Sequence, residues 1–136
     1  RFMHMGLDLY NVVSALNAVL AQRLVRLVCP HCARPHEPEP ALLARHGLRA
    51  DPAHRFLRGE GCGHCRGSGY RGRRAVAELL RLDDGLRDLI AARAPMSQIK
   101  EAARSRGMKP LRAMALAAVC RGETTFEELE RVTLDE

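Results

Sequence analysis

The sequence has no tryptophan and, in 136 residues, only two tyrosines and three phenylalanines. A hydrophobic core must therefore be built from Leu, Val and Ala, and the interleaved aromatics on which single-stranded nucleic acids stack are missing. Lysine is scarce as well. Lys100 and Lys109 are the only two, and arginine carries nearly all the basic charge. A bias that uniform reflects composition at large and is not read as a designed phosphate-binding surface. No run of about 18 apolar residues occurs, so nothing reads as a membrane-spanning helix. The opening residues lack the charged, apolar and small-residue succession of a signal peptide. There is no G-x-x-x-x-G-K-[ST], no H-E-x-x-H and no Ser/His/Asp pattern above chance. Nothing in the chain reads as catalytic by itself.

What is present is charge, unevenly placed. From Glu123 to Glu136 six acidic residues face one arginine, a net of −5, which leaves +11 on the remainder of a chain whose total is +6. Such a basic body attracts nucleic acid, an anionic membrane face or an acidic protein, and charge alone does not choose. The length suits one compact domain or two small ones. The chain opens at Arg1 inside a helical pattern, without an initiator methionine, and reads as a piece of a longer protein. Five cysteines, an odd number, fit a reducing compartment better than a secreted disulfide framework.

Apolar residues recur at helical spacing from Leu9 to Val28, which predicts a long helix capped by Asp8 and stopped at Cys29-Pro30. "ARPHEPEP" is a loop entering a short helix, with Pro40 in its first turn and Gly47 just past its end. "RGRRAVAELLRL" is ambiguous between strand and helix. Four helices follow: one capped near Asp83 or Asp84, one with Ser97 as N-cap and Gly107 behind it, one opening at Pro110, and one headed by Thr124 and Glu127 at capping-box spacing. The predicted fold class is mainly α: a long N-terminal helix, a small irregular metal-binding element, a possible short strand, and a helical C-terminal subdomain.

The long loops need something other than a core to hold them. Cys29, Cys32, Cys62 and Cys65 supply it, as C-x2-C, a 29-residue gap and C-x2-C. Two knuckles of this kind complete a tetrahedron around zinc, and the binding energy orders a segment too short to fold on its own core. Redox or disulfide pairs are the competing reading, but neither pair opens a helix in a βαβ pattern. Four thiolates leave no open position for water, so the zinc is read as structural. His31 and His64 sit inside the knuckles and read as exposed tip residues. Cys120 reads as a small core residue.

"LAQRLVRLVCPHC", "GCGHCRGSGYRGR", "AELLRLDD" and "GETTFEELERVT" follow one another in an order that resembles the C-terminal part of type II secretion and type IV pilus assembly ATPases, from about Met5 to Thr133. The resemblance implies a hexameric ATPase whose RecA-like catalytic motifs precede this region. Residues 1–28 would be the terminal helix of that domain, 29–70 the zinc element and 71–136 the helical subdomain. It implies that the four cysteines are the zinc ligands, and that ATP and Mg2+ are bound only by the full-length protein. Arg73 matches the arginine of the family's G-Y-x-G-R motif, thought to approach nucleotide near a subunit interface; Arg71 and Arg23 are lesser candidates. Ser68 stands where threonine is commoner, and keeps the hydroxyl. The implied partners are neighbouring subunits of a homohexamer and inner-membrane platform proteins, with no nucleic acid. The implied place is the cytoplasm, peripheral to a bacterial inner membrane. Two other readings stay open: a basic zinc ribbon for nucleic acid, and a cochaperone zinc module, the latter weakened because Cys29–Cys32 lacks the trailing glycines.

Overall fold

The computed structural model describes residues 3–133. Its elements are a 3-10 turn at Met3–Met5, then α1 (Leu9–Ala15), β1 (Ala18–Val28), β2 (Ala33–Pro35), α2 (Pro40–Arg45) and β3 (Leu57–Gly59). A 3-10 turn at Gly63–Cys65 leads to β4 (Tyr70–Arg81), and α3 (Asp84–Ala91), α4 (Met96–Ser105), α5 (Leu111–Cys120) and α6 (Phe126–Thr133) close the chain. β1 pairs with β4 and β2 with β3, giving two antiparallel two-stranded sheets.

The mainly α expectation is therefore wrong, and the long N-terminal helix is where it fails. Asp8 does cap α1, its carboxylate accepting from the Asn11 amide at 3.2 Å. The helix ends at Ala15, Leu16 turns extended, and Ala18–Val28 is a strand. The reason lies far off in sequence. Along β1, the groups at Leu24, Arg26 and Val28 are all taken by residues near the C-terminus. The Arg26 amide donates to Glu128 Oε2 (2.8 Å), the Val28 amide donates to the Glu123 carbonyl (2.9 Å), and Thr124 Oγ1 donates to the Arg26 carbonyl (2.7 Å). Arg131 donates to the Leu24 carbonyl at 3.0 Å. Every second residue bonds outward, which is strand periodicity. The ambiguous stretch after Tyr70 resolves the same way, as twelve residues of β4.

Helix starts follow local chemistry more closely. Pro40 opens α2, and Asp83 caps α3 by accepting from the Leu86 amide at 2.8 Å. Two caps shift. α4 starts at Met96 behind Pro95 with no side-chain cap, so Ser97 is inside the helix. In α6 the capping hydroxyl belongs to Thr125, which accepts from the Glu128 amide at 3.4 Å; Thr124 is drawn away to β1.

The chain divides into two compact units, residues 1–21 with 77–110, and 22–76 with 111–136. In the first, α1 packs on α3 and α3 on α4, with Val13, Leu82, Leu86 and Ala103 buried. Arg87 of α3 donates to the Leu16 carbonyl at 2.8 Å, fixing the end of α1. The second has its own aliphatic core, with Val25 of β1, Leu43 of α2, Val76 of β4 and Leu111, Ala115 and Val119 of α5 meeting Phe126 and Leu129 of α6.

One carboxylate is wholly enclosed in this second unit. Glu128 accepts from Arg26 Nε at 2.9 Å and from Arg131 Nε and a terminal nitrogen at 2.9 and 2.7 Å. Burial opposes its ionisation, but these hydrogen bonds outweigh it and hold the carboxyl at about 2, down from the ordinary 4.5. Because the folded value is the lower one, the stabilisation is complete above about pH 4.5 and is lost as pH falls towards 2. Glu128→Gln should thus cost about 2 kcal/mol at neutral pH in urea unfolding. The difference from the parent chain should shrink to near zero at the acid end. A pH-independent difference would assign the effect to packing instead.

Candidate metal centre

The turn after Val28 and the turn before β4 have the same local form. The Cys32 amide donates to the Cys29 carbonyl (3.3 Å), and the Cys65 amide to the Cys62 carbonyl (3.2 Å). Each closes a knuckle with both sulfurs on one side. β2 and β3 pair antiparallel, Ala33 opposite Gly59 and Pro35 opposite Leu57, and carry the knuckles towards each other. The approach depends on two glycines. A Cβ on Gly59 would lie 2.0 Å from the Gly69 carbonyl oxygen, and one on Gly69 would lie 2.5 Å from that of Gly59. Gly69 also needs its left-handed φ of 76°.

The four sulfurs converge within 4.8 Å of one another. Sγ separations are 3.9 Å for Cys29–Cys62, 3.8 Å for Cys32–Cys65 and 3.7 Å for Cys62–Cys65. A zinc ion with four sulfurs at roughly 2.3 Å makes a tetrahedron whose edges are about 3.8 Å. A disulfide would demand about 2.05 Å, and all five cysteines are free. The spacing fits four ligands around one ion, and the four sulfurs form one cluster rather than two separate pairs.

The surrounding backbone is arranged for negative sulfur. The Gly61 amide donates to Cys32 Sγ (3.3 Å), and the Cys62 and Gly69 amides donate to Cys65 Sγ (3.1 and 3.3 Å). Burial pushes the Cys32 thiol up to about 12, with its neighbouring thiols adding to the effect. At Cys65 burial acts in the same sense, but the two amides and the adjoining thiols prevail and bring it down to about 6. Amide donors of this kind spread the excess charge of a tetrathiolate site. The donor set and its geometry fit a structural zinc: four sulfurs leave no place for a reactive water.

Around the cluster, Ser68 Oγ donates to the Cys65 carbonyl at 2.7 Å and accepts from the Tyr70 amide at 3.3 Å, so its hydroxyl is in use. His31 and His64 are exposed tip residues, and they stack on each other with centroids 3.9 Å apart and planes 21° from parallel. That contact has a faint sequence signal, histidine at the third position of both knuckles. Tyr70 leaves the site towards α6: its hydroxyl meets Thr125 Oγ1 at 2.8 Å, and the Arg26 guanidinium lies 4.2 Å over its ring.

The candidate arginines are not part of this cluster. Arg71 and Arg73 are exposed on β4 and have no side-chain partner among the described residues. Arg23 is exposed on β1 and donates only to its neighbour's carbonyl, that of Gln22, at 3.1 Å. The arginine of that run with a carboxylate partner is Arg74, 2.7 Å from Glu123. Sequence reasoning passed over it, because nothing local links it to a residue 49 positions on.

Residues 1–131 match the family model described as "Type II/IV secretion system protein". The chain belongs to that family. The type IV pilus assembly ATPase PilB of Thermus thermophilus is 43% identical over 137 residues, covering 99% of this chain and 15% of that protein. PilB of Pseudomonas aeruginosa is 34% identical, covering 99% of this chain and 24% of its own. The type II secretion system protein E of the same organism is 37% identical, covering 100% and 27%. The chain thus spans 15% to 27% of the length of these secretion-family relatives. Among the described residues no helix is long and apolar enough to cross a membrane.

Zinc analysis of this secretion-family chain should find one ion per chain, lost on Cys62→Ser. In that variant the knuckles, β2 and β3 should lose hydrogen-exchange protection while α3 and α4 keep theirs, having their own buried contacts. A metal-free chain as protected as the loaded one would contradict the assignment.

Proposed function

We propose that this chain is the zinc-bearing C-terminal module of a hexameric ATPase that powers protein export or pilus assembly. The module serves assembly and docking and performs no ATP hydrolysis itself. The observation that carries the reading is the convergence of four sulfurs at tetrahedral spacing in a chain of the secretion family. Cys29, Cys32, Cys62 and Cys65 would hold the ion. Zinc supplies a closed cross-link with no free coordination position. The chain's own residues then use that rigidity, because Gly69 and Tyr70 leave the site directly into β4.

Arg73 lies on β4 eight residues past Cys65, exposed and without a side-chain partner among the described residues. A guanidinium in that state can take a phosphate or carboxylate by two parallel hydrogen bonds, which lysine does not reproduce. In the full-length protein it would reach nucleotide near a subunit boundary, with Arg71 and Arg23 in supporting places. Partners would be neighbouring subunits and platform proteins of the inner membrane, on its cytoplasmic side. The basic body favours the nucleic-acid reading, but among the described residues Tyr10 is the only exposed Phe or Tyr, and the exposed rings of His31 and His64 stack on each other.

Two measurements test this. The isolated chain should show no ATP binding by calorimetry in the micromolar range, since it has no phosphate-cradling loop; binding there would refute the non-catalytic role. In the full-length protein, Arg73→Ala should lower ATP turnover about tenfold or more, from loss of a two-bond charge-assisted contact, with zinc content and hexamer formation intact. Unchanged turnover would return Arg73 to the solvated surface.

A further inference from the structure

Beside the zinc element, in the second unit, lies a groove of about 990 Å³. One wall is the segment from Pro35 to Pro40, the other runs from His54 to Leu57, and α2 and the residues after it close the end. Leu43, Leu48, Phe56 and Leu57 give it apolar side chains. Pro35, Pro38 and Pro40 fix its first wall, so little conformational freedom remains to be lost on binding.

Its charge is opposite to that of its surroundings. Glu37, Glu39 and Asp51 border the groove with Arg55 as the single guanidinium, in a chain that is +11 outside its last fourteen residues. Glu37 and Glu39 are exposed, and neither has an ion-pair partner among the described residues. Away from the groove, the exposed carboxylates described in this unit are paired, as Arg34–Glu60 and Arg58–Glu127. Two carboxylates two positions apart, without an ion pair among the described residues of an arginine-rich chain with paired neighbours, mark a place where the cation comes from elsewhere. His54 also lines the groove, and its Nδ1 is buried without a hydrogen-bond partner.

We infer that this groove docks a basic amphipathic segment of another protein, its apolar side chains against Leu43, Leu48 and Phe56 and its lysines or arginines against Glu37 and Glu39. A second copy of the chain is a poorer occupant: Val19 and Leu20 have no cation two positions away, and of the exposed strand leucines that do, Leu24 has only Arg26, already held by Glu128, and Leu79 has only Arg81. A small molecule is poorer still, since the carboxylates are at the exposed rim and no set of polar groups converges at depth. The inference deepens the docking role proposed above and rests on it for the biological identity of the partner, though the groove can be tested alone.

The probe is a synthetic helical peptide with leucines on one face and lysines on the other, labelled with fluorescein and titrated into the whole zinc-loaded chain. A peptide with glutamate for lysine is the comparison. The lysine peptide should bind, and amide shifts should cluster at Leu43, Leu48 and Phe56. Glu37→Lys with Glu39→Lys should weaken it about tenfold, the sum expected for two exposed ion pairs reversed in sign. Glu101→Lys, on α4, should leave it unchanged. Both groove positions are exposed, and unaltered zinc content will show that the double variant is folded. Absence of binding, equal binding of the glutamate peptide, equal affinity for the double variant or shifts elsewhere would each overturn the inference. Self-association of the chain that produces the same shifts would give the groove to a second copy and overturn it too. Any of these leaves the ATPase-module reading standing, because that reading is tested by turnover of the full-length protein.

Discussion

The outward edge of β1 at Leu24, Arg26 and Val28 meets the segment from Glu123 to Arg131, and much of the second unit depends on that meeting. A two-stranded ribbon leaves each strand with one unpaired edge, and unpaired backbone groups near a core are costly. Here the edge is satisfied by a carboxylate, a hydroxyl, a carbonyl and a guanidinium from a single helix and its leading turn. Glu128 does two things at once: it accepts from the Arg26 amide and balances the guanidiniums of Arg26 and Arg131. A buried carboxylate is tolerable only with that degree of satisfaction. The same contacts set α6 over Val25 and Val76, so the charge cluster and the aliphatic core place each other.

The candidate metal centre is organised on a different principle. β2 and β3 are three residues each and bury almost nothing, and the chain between the knuckles is mostly irregular. Four sulfurs around one point replace the core that such a segment lacks. The glycines on either side allow the backbones to cross, and the amides aimed at Cys32 and Cys65 soften the accumulation of negative charge. Tyr70 then joins this element to α6 through Thr125. Cys65, Ser68, Tyr70 and the capping hydroxyl of Thr125 form one chain of contacts within the unit, which links the four-sulfur cluster to a helix that begins some sixty residues later.

Such an arrangement suits a module that presents surfaces to other molecules. Arg71 and Arg73 stand exposed on a strand that starts beside the four-cysteine cluster. The groove with Glu37 and Glu39 has a wall of prolines and a floor shared with the core. Both offer charge on a rigid base, so that ordering costs little when a partner arrives.

Local chemistry was legible in the sequence where short-range interactions decide it. The Asp8 and Asp83 caps, Pro40 at the head of α2 and the two Cys-x-x-Cys turns need only a few neighbouring residues, and all stand in the structure as the residues imply. The shifted cap at Thr125 shows where that ends, since Thr124 is equally suited but is claimed by the Arg26 carbonyl. The type of element at Ala18–Val28 was beyond local reading, because its apolar spacing serves a helix and a strand equally. Its hydrogen bonds go to β4 and to residues a hundred positions away, and only folding brings those within reach. What the sequence determined by itself was the set of two Cys-x-x-Cys turns and the helix starts at Asp8, Pro40 and Asp83, which depend on residue type and short spacing; the strands, the buried Glu128 and the paired Arg74 were decided by tertiary structure, because each needs a partner that proximity in the chain does not provide.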